Sequence, residues 1–314
     1  MPPKGSKKKS QPSTTTTTTT KSSTKRKSPP PSTTSPPPSK TPRRSNRNPT
    51  PTATQMLHLL LSHTGTLLST PASEHAFLSQ TTQSPTPTTP VTFSTVPLPA
   101  YTALLSATIL SRPISHALGR RAIRTLLNPP YSFTEPANVL ANNDGEARVH
   151  EALAVARTQH KAKTAAEVCG LARVVVDEWE GDVRLDKVRE RAGRDVGAER
   201  ALLKRSVKGL GPTGLDIFFR RVQAQWAEAY PFVDERTRKA LEGLGLVGTA
   251  EGVRDLVEGE WDGIKEEEGR VWGKDGEEDE EARKREVFVR AVEAAVGIGL
   301  EGKVEEARRE AVKL

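Results

Sequence analysis

One cysteine, Cys169, is all the chain carries in 314 residues. A single thiol excludes an intrachain disulfide, a four-cysteine zinc site and a four-cysteine iron–sulfur cluster, and it fits a reducing compartment. No apolar run in the chain approaches the roughly 20 residues of a membrane-spanning helix, so no membrane partner is expected. The charged amino terminus is followed by no apolar stretch of the kind a secretion signal needs. Acid is missing altogether from the first fifty residues, which hold twelve Lys and Arg. Residues 51–240 hold 23 basic and 18 acidic side chains, and residues 241–314 hold 12 and 21. The net charge of +8 therefore comes mainly from the amino-terminal tail, with a milder positive middle and an acidic end.

Residues 1–52, rich in Lys, Ser, Thr and Pro with the run Thr14 to Thr20, have too little apolar surface to offset chain entropy and are expected to be disordered. Lys7-Lys8-Lys9, Lys25-Arg26-Lys27 and Arg43-Arg44 read as nuclear-import or nucleic-acid-contacting clusters, against the plainer alternative of a solubilising tail. Ser28, Ser35, Thr41 and Thr50 each precede proline, and phosphorylation there would lower the tail's positive charge.

Helical periodicity organises most of the remainder. The apolar positions Met56, Leu57, Leu60, Leu61, Leu67 and Leu68 predict one helix over 54–68, and the Pro/Thr-rich stretch 70–99 reads as a long mobile loop. From Ala100 the pattern resumes through Leu104–Ser111, with Ser111 placed to cap a following helix that has Arg112 and Pro113 in its first turn. That helix carries Ile114, Ala117, Leu118, Ala122 and Leu126, and its His116 reads as a surface or packed histidine without metal-ligand spacing. Further helices are predicted from Pro136 to about Ala141, over 146–156 and over 161–179, where Cys169 falls on the apolar face as a small core residue. Residues 251–264 and 281–313 each read as one helix, flanking the charged segment 265–280, which Trp261, Val271 and Trp272 would dock. The acid run 277–281 reads as solvated surface.

Between Leu202 and Leu244 two short helical patterns surround a glycine turn, and an isolated acid follows. Leu203 and Val207 share a face above the turn Gly209-Leu210-Gly211. Pro212 suits a first helical turn, after which Leu215, Phe218, Phe219, Val222 and Trp226 recur at core spacing. The glycines let the backbone approach a ligand, and the N–H groups of Gly211, Thr213 and Gly214 open the second helix at its positive end. Such a terminus binds anions, usually phosphate. Lys204, Arg205 and Lys208 lead into the turn, and Arg220 and Arg221 lie further along the second helix. A Gly-x-Gly pair that only turns a corner is the plainer alternative. Asp234 likewise stands open between an N-cap for the helix 235–241, after the extended Pro231-Phe232-Val233, and a functional carboxylate.

In these residues the chain resembles the helix-hairpin-helix DNA glycosylases of the endonuclease III type, over about Tyr101 to Leu246. Leu104–Ser111 is similar to the family's early barrel helix, His160-Lys161-Ala162-Lys163 to its Lys-Ala helix start, and Pro231-Phe232-Val233-Asp234-Glu235-Arg236 to the segment that delivers its catalytic aspartate. The resemblance implies Asp234 as the catalytic carboxylate and Lys208, Gly209, Leu210, Gly211, Thr213 and Gly214 as the DNA-backbone contacts. It also implies a second lobe in which the helices beyond Leu246 pack with the amino-terminal helix, and a monovalent cation at the hairpin carbonyls. Two departures matter. Thr213 stands where the bifunctional members carry a lysine, so no Schiff base and no strand cleavage is expected, and Gly214-Leu215 replaces the family's usual small residue such as alanine. The cysteines of the iron–sulfur cluster are missing as well.

The sequence thus predicts an all-α, two-lobed, helix-hairpin-helix glycosylase-like fold: a disordered basic tail (1–52), an amino-terminal helix with a Pro/Thr-rich loop (53–99), the hairpin domain (100–246) and an acidic helical segment (247–314). The expected function is monofunctional hydrolysis of the N-glycosidic bond of a damaged or mismatched base, in the nucleus, on double-stranded DNA. A monomer is expected, with no metal and no organic cofactor. The alternatives are a non-catalytic helix-hairpin-helix DNA-binding module and a helical interaction protein.

Overall fold

A computed structural model describes residues 50–78, 90–156, 159–268 and 280–314, which are helical with no strand among them. The expectations for the basic tail fall on residues 1–49 and lie outside the described residues, as do Val271, Trp272 and the acids 277–279.

Thr52 starts α1 (Ala53–Leu61) through a reciprocal capping box with Gln55. Where the apolar spacing predicts one helix, there are two. Ser62 leaves the helical region at φ −75°, ψ 165°, and its hydroxyl accepts from Gly65 N at 3.1 Å to start α2 (His63–Ser69). The stretch expected as a loop is also partly ordered: a 3₁₀ turn over Ala72–Glu74 leads into α3 (His75–Leu78), and Phe93 and Leu98 are buried. The Asn128 side chain pins this return strand of chain by bonding both sides of Val91, donating from Nδ2 to its carbonyl at 2.7 Å and accepting at Oδ1 from its N–H at 2.8 Å. Two bonds of this kind satisfy backbone that no regular element pairs.

The next helices are α4 (Ala100–Leu110), α5 (His116–Leu127), α6 (Pro136–Leu140), α7 (Gly145–Ala156), α8 (Lys161–Trp179), α9 (Asp186–Arg191), α10 (Val196–Ser206) and α11 (Pro212–Val222). Together they enclose the first of two apolar cores. Every residue of α4 from Ala100 to Ile109 is buried, and α5, α8 and α11 pack around it. A helix whose residues are apolar or small on every side, its polar members limited to Thr102, Ser106 and Thr108, belongs at the centre of a bundle. Cys169 lies in this core with no exposure. Phe218, Phe219 and Trp226 form an edge-to-face cluster there, each contributing on the order of 1.5–3 kcal/mol by burial. The cap expected at Ser111 sits elsewhere. Ser111 ends α4, its hydroxyl donating back to Thr108 O, and Ser115 caps α5 by accepting from Leu118 N. Only six residues long, α9 is too short for periodicity to reveal.

The second core gathers α1 and α2 with α12 (Glu235–Leu244), α13 (Ala250–Gly259), α14 (Trp261–Glu268), α15 (Glu280–Leu300) and α16 (Val304–Ala311). Early and late parts of the chain therefore share one core. The two long helices expected here are each broken, at Glu260 and around Gly302, whose φ of +67° a helix cannot continue. At the centre α15 packs against α1, α2, α12 and α13. It approaches α2 so closely at Gly297 that a β-carbon there would lie 2.3 Å from Ser69 O. Among the described residues, no helix is long and apolar enough to cross a membrane.

Candidate functional site

The two glycines of the hairpin do different work. Gly209 has φ +87°, and a β-carbon on it would lie 2.5 Å from Glu167 Oε1, so both conformation and space require glycine. Gly211 has an ordinary φ of −91°, and nothing lies within 4 Å of where its β-carbon would be. Open space in front of the backbone is what a phosphate needs to reach the N–H groups of a helix terminus. No side chain caps α11, and Lys208, Pro212 and Thr213 are exposed while Gly211 is half-buried. Leu210 and Gly214 turn inward, and a β-carbon on Gly214 would crowd Leu210 Cδ1 at 2.8 Å. Lys204 and Arg205 are exposed on α10 just before the turn.

One hairpin carbonyl is already occupied by a cationic group. Arg112 Nη2 donates to Gly209 O at 3.0 Å and is ion-paired with the buried Glu167 at 2.6 Å. A guanidinium thus sits at Gly209 O, where the resemblance implies a monovalent cation. Among the described residues no group of three or more His, Cys, Asp or Glu is placed to hold a metal.

Asp234 does cap a helix. Its Oδ1 accepts from Thr237 N at 2.8 Å and from the Thr237 hydroxyl at 3.2 Å at the start of α12. Its Oδ2 meets Arg220 Nη1 at 2.5 Å, and Arg220 Nε reaches on to Glu293 Oε1 on α15 at 2.8 Å. Both carboxylate oxygens are engaged, and Asp234 lines none of the described cavities. Burial alone would raise the Asp234 carboxyl, but Arg220 and Thr237 outweigh it and hold it below its ordinary value. For Arg220 burial is likewise overcome by Glu293 and Asp234, and its guanidinium is held more tightly protonated than usual. The extended lead-in is held by Gln223, fully buried, whose amide bonds Phe232 on both sides, accepting its N–H at 2.8 Å and donating to its carbonyl at 3.0 Å.

Arg220 and Arg221, expected to add positive charge around the hairpin, do not face it. They lie about 14 Å along α11 from Gly211, by the rise of a helix, and both are 3% exposed. They point into a seam between the two cores, with α5 and α11 on one side and α1, α2 and α15 on the other. Arg120 on α5 joins them there. A cavity of about 80 Å³ is lined by Arg120, Arg220, Arg236, His116 and Glu293, and a second of about 60 Å³ by Arg120, Arg221, Arg290 and Glu293. Since about 15 Å³ of such space accommodates one water, each has room for several.

His116 turns out to be a bridge between cores, its Nδ1 lying 2.7 Å from Glu301 Oε1 just beyond α15. Burial first, and then Arg120, push its pKa down against the pull of Glu301. Arg120, Phe93 and Glu293 could not be singled out in the sequence. Phe93 lies in the Pro/Thr-rich stretch, Arg120 interrupts an otherwise amphipathic helix, and Glu293 belongs to a helix 73 residues after its partner Arg220.

No family model, curated protein or solved structure matches the chain.

Proposed function

We propose that the chain is a nuclear DNA-binding protein of the base-excision type, with a two-lobed glycosylase-like build, acting as a monomer on double-stranded DNA. The observation that carries this is the uncapped start of α11, open in front of Gly211 and flanked by exposed Lys204, Arg205 and Lys208, on the helix that also holds Asp234 through Arg220. The hairpin would grip the phosphates, and its backbone donors carry no base-reading pattern, so binding is expected to be salt-sensitive and insensitive to sequence. Asp234, kept ionised by Arg220, would position water and stabilise positive charge developing on the sugar of an extruded nucleotide. That chemistry requires Arg220 to release Oδ2, and Glu293 gives the guanidinium a second carboxylate to rest on. With Thr213 at the lyase position, the reaction would be hydrolysis alone.

A second reading, a non-catalytic DNA-binding module, is favoured by the engagement of both Asp234 oxygens and by Asp234 lining none of the described cavities. Incubating the full chain with duplexes that carry single lesions, followed by alkali to reveal abasic sites, separates the two. Excision by the parent that disappears in Asp234→Asn while DNA binding persists supports the enzyme. Absence of excision on every lesion, with equal DNA binding in both proteins, leaves the module.

A further inference from the structure

The carboxylates in the seam are each bonded to a basic side chain other than Arg120 and Arg221. Glu74 is committed to Arg124 at 2.7 Å, Glu301 to His116 at 2.7 Å, and Asp234 and Glu293 both to Arg220. Arg120 and Arg221 have no carboxylate partner among the described residues. Among the described residues Arg221 donates to the carbonyl of Thr95. Arg120 donates no hydrogen bond among the described residues, and its Nε is buried without a partner although the side chain is more than nine-tenths buried. A buried guanidinium nitrogen without a partner is costly, and native proteins rarely leave one.

Arg120 and Arg221 border the same cavity of about 60 Å³. Their guanidinium carbons lie 4.9 Å (Arg120) and 4.4 Å (Arg221) from the centroid of the same Phe93 ring. The ring fixes both forks by cation–π contact but cannot accept their N–H groups. Burial, only partly offset by Glu293 and reinforced by repulsion from Arg221, pushes Arg120 down to about 10. Arg120 also lines the first cavity, of about 80 Å³, and a small third one of about 10 Å³ beside Glu74 and Phe93.

We propose that Arg120 and Arg221 form a site in the seam for a phosphate monoester, one dianion whose oxygens take both forks. Guanidinium forks match phosphate oxygens in pairs, and a dianion neutralises two arginines where a carboxylate or an internal phosphodiester neutralises one. The site is separate from the hairpin, and it stands whether or not Asp234 is catalytic. The monoester has two possible sources, the terminal phosphate of a DNA strand and a free mononucleotide.

The test follows thermal unfolding and calorimetric binding of the full chain with inorganic phosphate at constant ionic strength. Saturable stabilisation is expected in the parent, growing as pH rises through about 6, where the dianion forms. Arg120→Met and Arg221→Met are each expected to weaken one phosphate-binding step at least tenfold, and Gly211→Asp, which closes the hairpin's own phosphate position, to keep that step while losing duplex binding. A parent without saturable phosphate binding overturns the site whatever the variants do, as does Arg120→Met binding as tightly as the parent. Should either methionine variant fail to fold, Arg120→Lys, which keeps the charge and loses the fork, is expected to show the same loss, and undiminished binding by it overturns the site. Duplexes with 5′-phosphate and 5′-hydroxyl ends then assign the source. A preference for the 5′-phosphate that vanishes in the Arg120 variants identifies a strand end. Equal duplex binding, with dAMP competing against inorganic phosphate, identifies a free nucleotide.

Discussion

Arg220 Nη1 lies 2.5 Å from Asp234 Oδ2, both side chains are buried, and the same guanidinium holds Glu293 through its Nε. One arginine therefore ties the end of α11, the start of α12 and the middle of α15, and so links the two cores. It also decides whether Asp234 presents a free oxygen, since Oδ1 is already spent on the Thr237 cap.

Substitutions at this pair are expected to destabilise in a definite order. Asp234→Asn keeps the cap and costs about 1.5–3 kcal/mol for the lost charge-assisted bond. Asp234→Ala loses about 1 kcal/mol more with the cap. Arg220→Met leaves the buried Asp234 and the half-buried Glu293 without their cation and costs about 3–5 kcal/mol. Urea unfolding of the three variants checks the ranking, and Arg220→Met as the mildest would contradict the network.

The same pair has a sign in pH. Asp234 is held below its ordinary value of 3.8, so its contribution is complete above that value and is lost as pH falls through the depressed folded pKa. Acid unfolding of Asp234→Asn, compared with the parent, is expected to show a shallower loss of stability below pH 3.8.

Glu199 on α10 works in the opposite direction. It has no exposed surface, and burial followed by the Glu228 carboxylate pushes it up to about 7 from 4.5. Between those values the unfolded chain releases the proton while the folded one keeps it, so stability falls as pH rises through the window. Glu199→Gln is expected to flatten this slope and to unfold at higher denaturant than the parent at about pH 8. Parallel pH profiles for the two proteins would rule Glu199 out as the source.

At the hairpin, stability and binding separate by position. Gly209→Ala meets both a positive φ and Glu167, and is expected to cost about 1–3 kcal/mol. Gly211→Asp has room, and aspartate is a preferred N-cap, so the fold should keep its stability while the added negative charge repels DNA phosphate. Fluorescence anisotropy with a labelled duplex is expected to show at least a tenfold loss for Gly211→Asp. Tight binding by that variant would remove the hairpin from the interface.

Gln223 substitutes for a missing strand partner. Gln223→Ala would leave both the N–H and the carbonyl of Phe232 without their bonds just before Asp234, at a cost of about 2–4 kcal/mol. Chemical denaturation measures that loss directly. An unchanged midpoint would show that water satisfies the segment equally well.

Periodicity by itself determined the helical course of the chain. The apolar spacing from Ala165 located α8 and its end at Trp179, and Pro212 after Gly211 marked the start of α11. Asp234 as a cap was legible for the same reason, because capping acts within three residues. Breaks such as those at Ser62 and Glu260 escaped, since an apolar face continues across a kink without change of spacing. Only the tertiary structure decided what Asp234 touches, that Arg220 and Arg221 face the seam instead of the hairpin, and that Arg120 and Phe93 join them. Charge pairing between α5, α11 and α15 leaves no period in the sequence. It depends on which cores the helices enter, and the pairing of the chain's early helices with its last ones sets that.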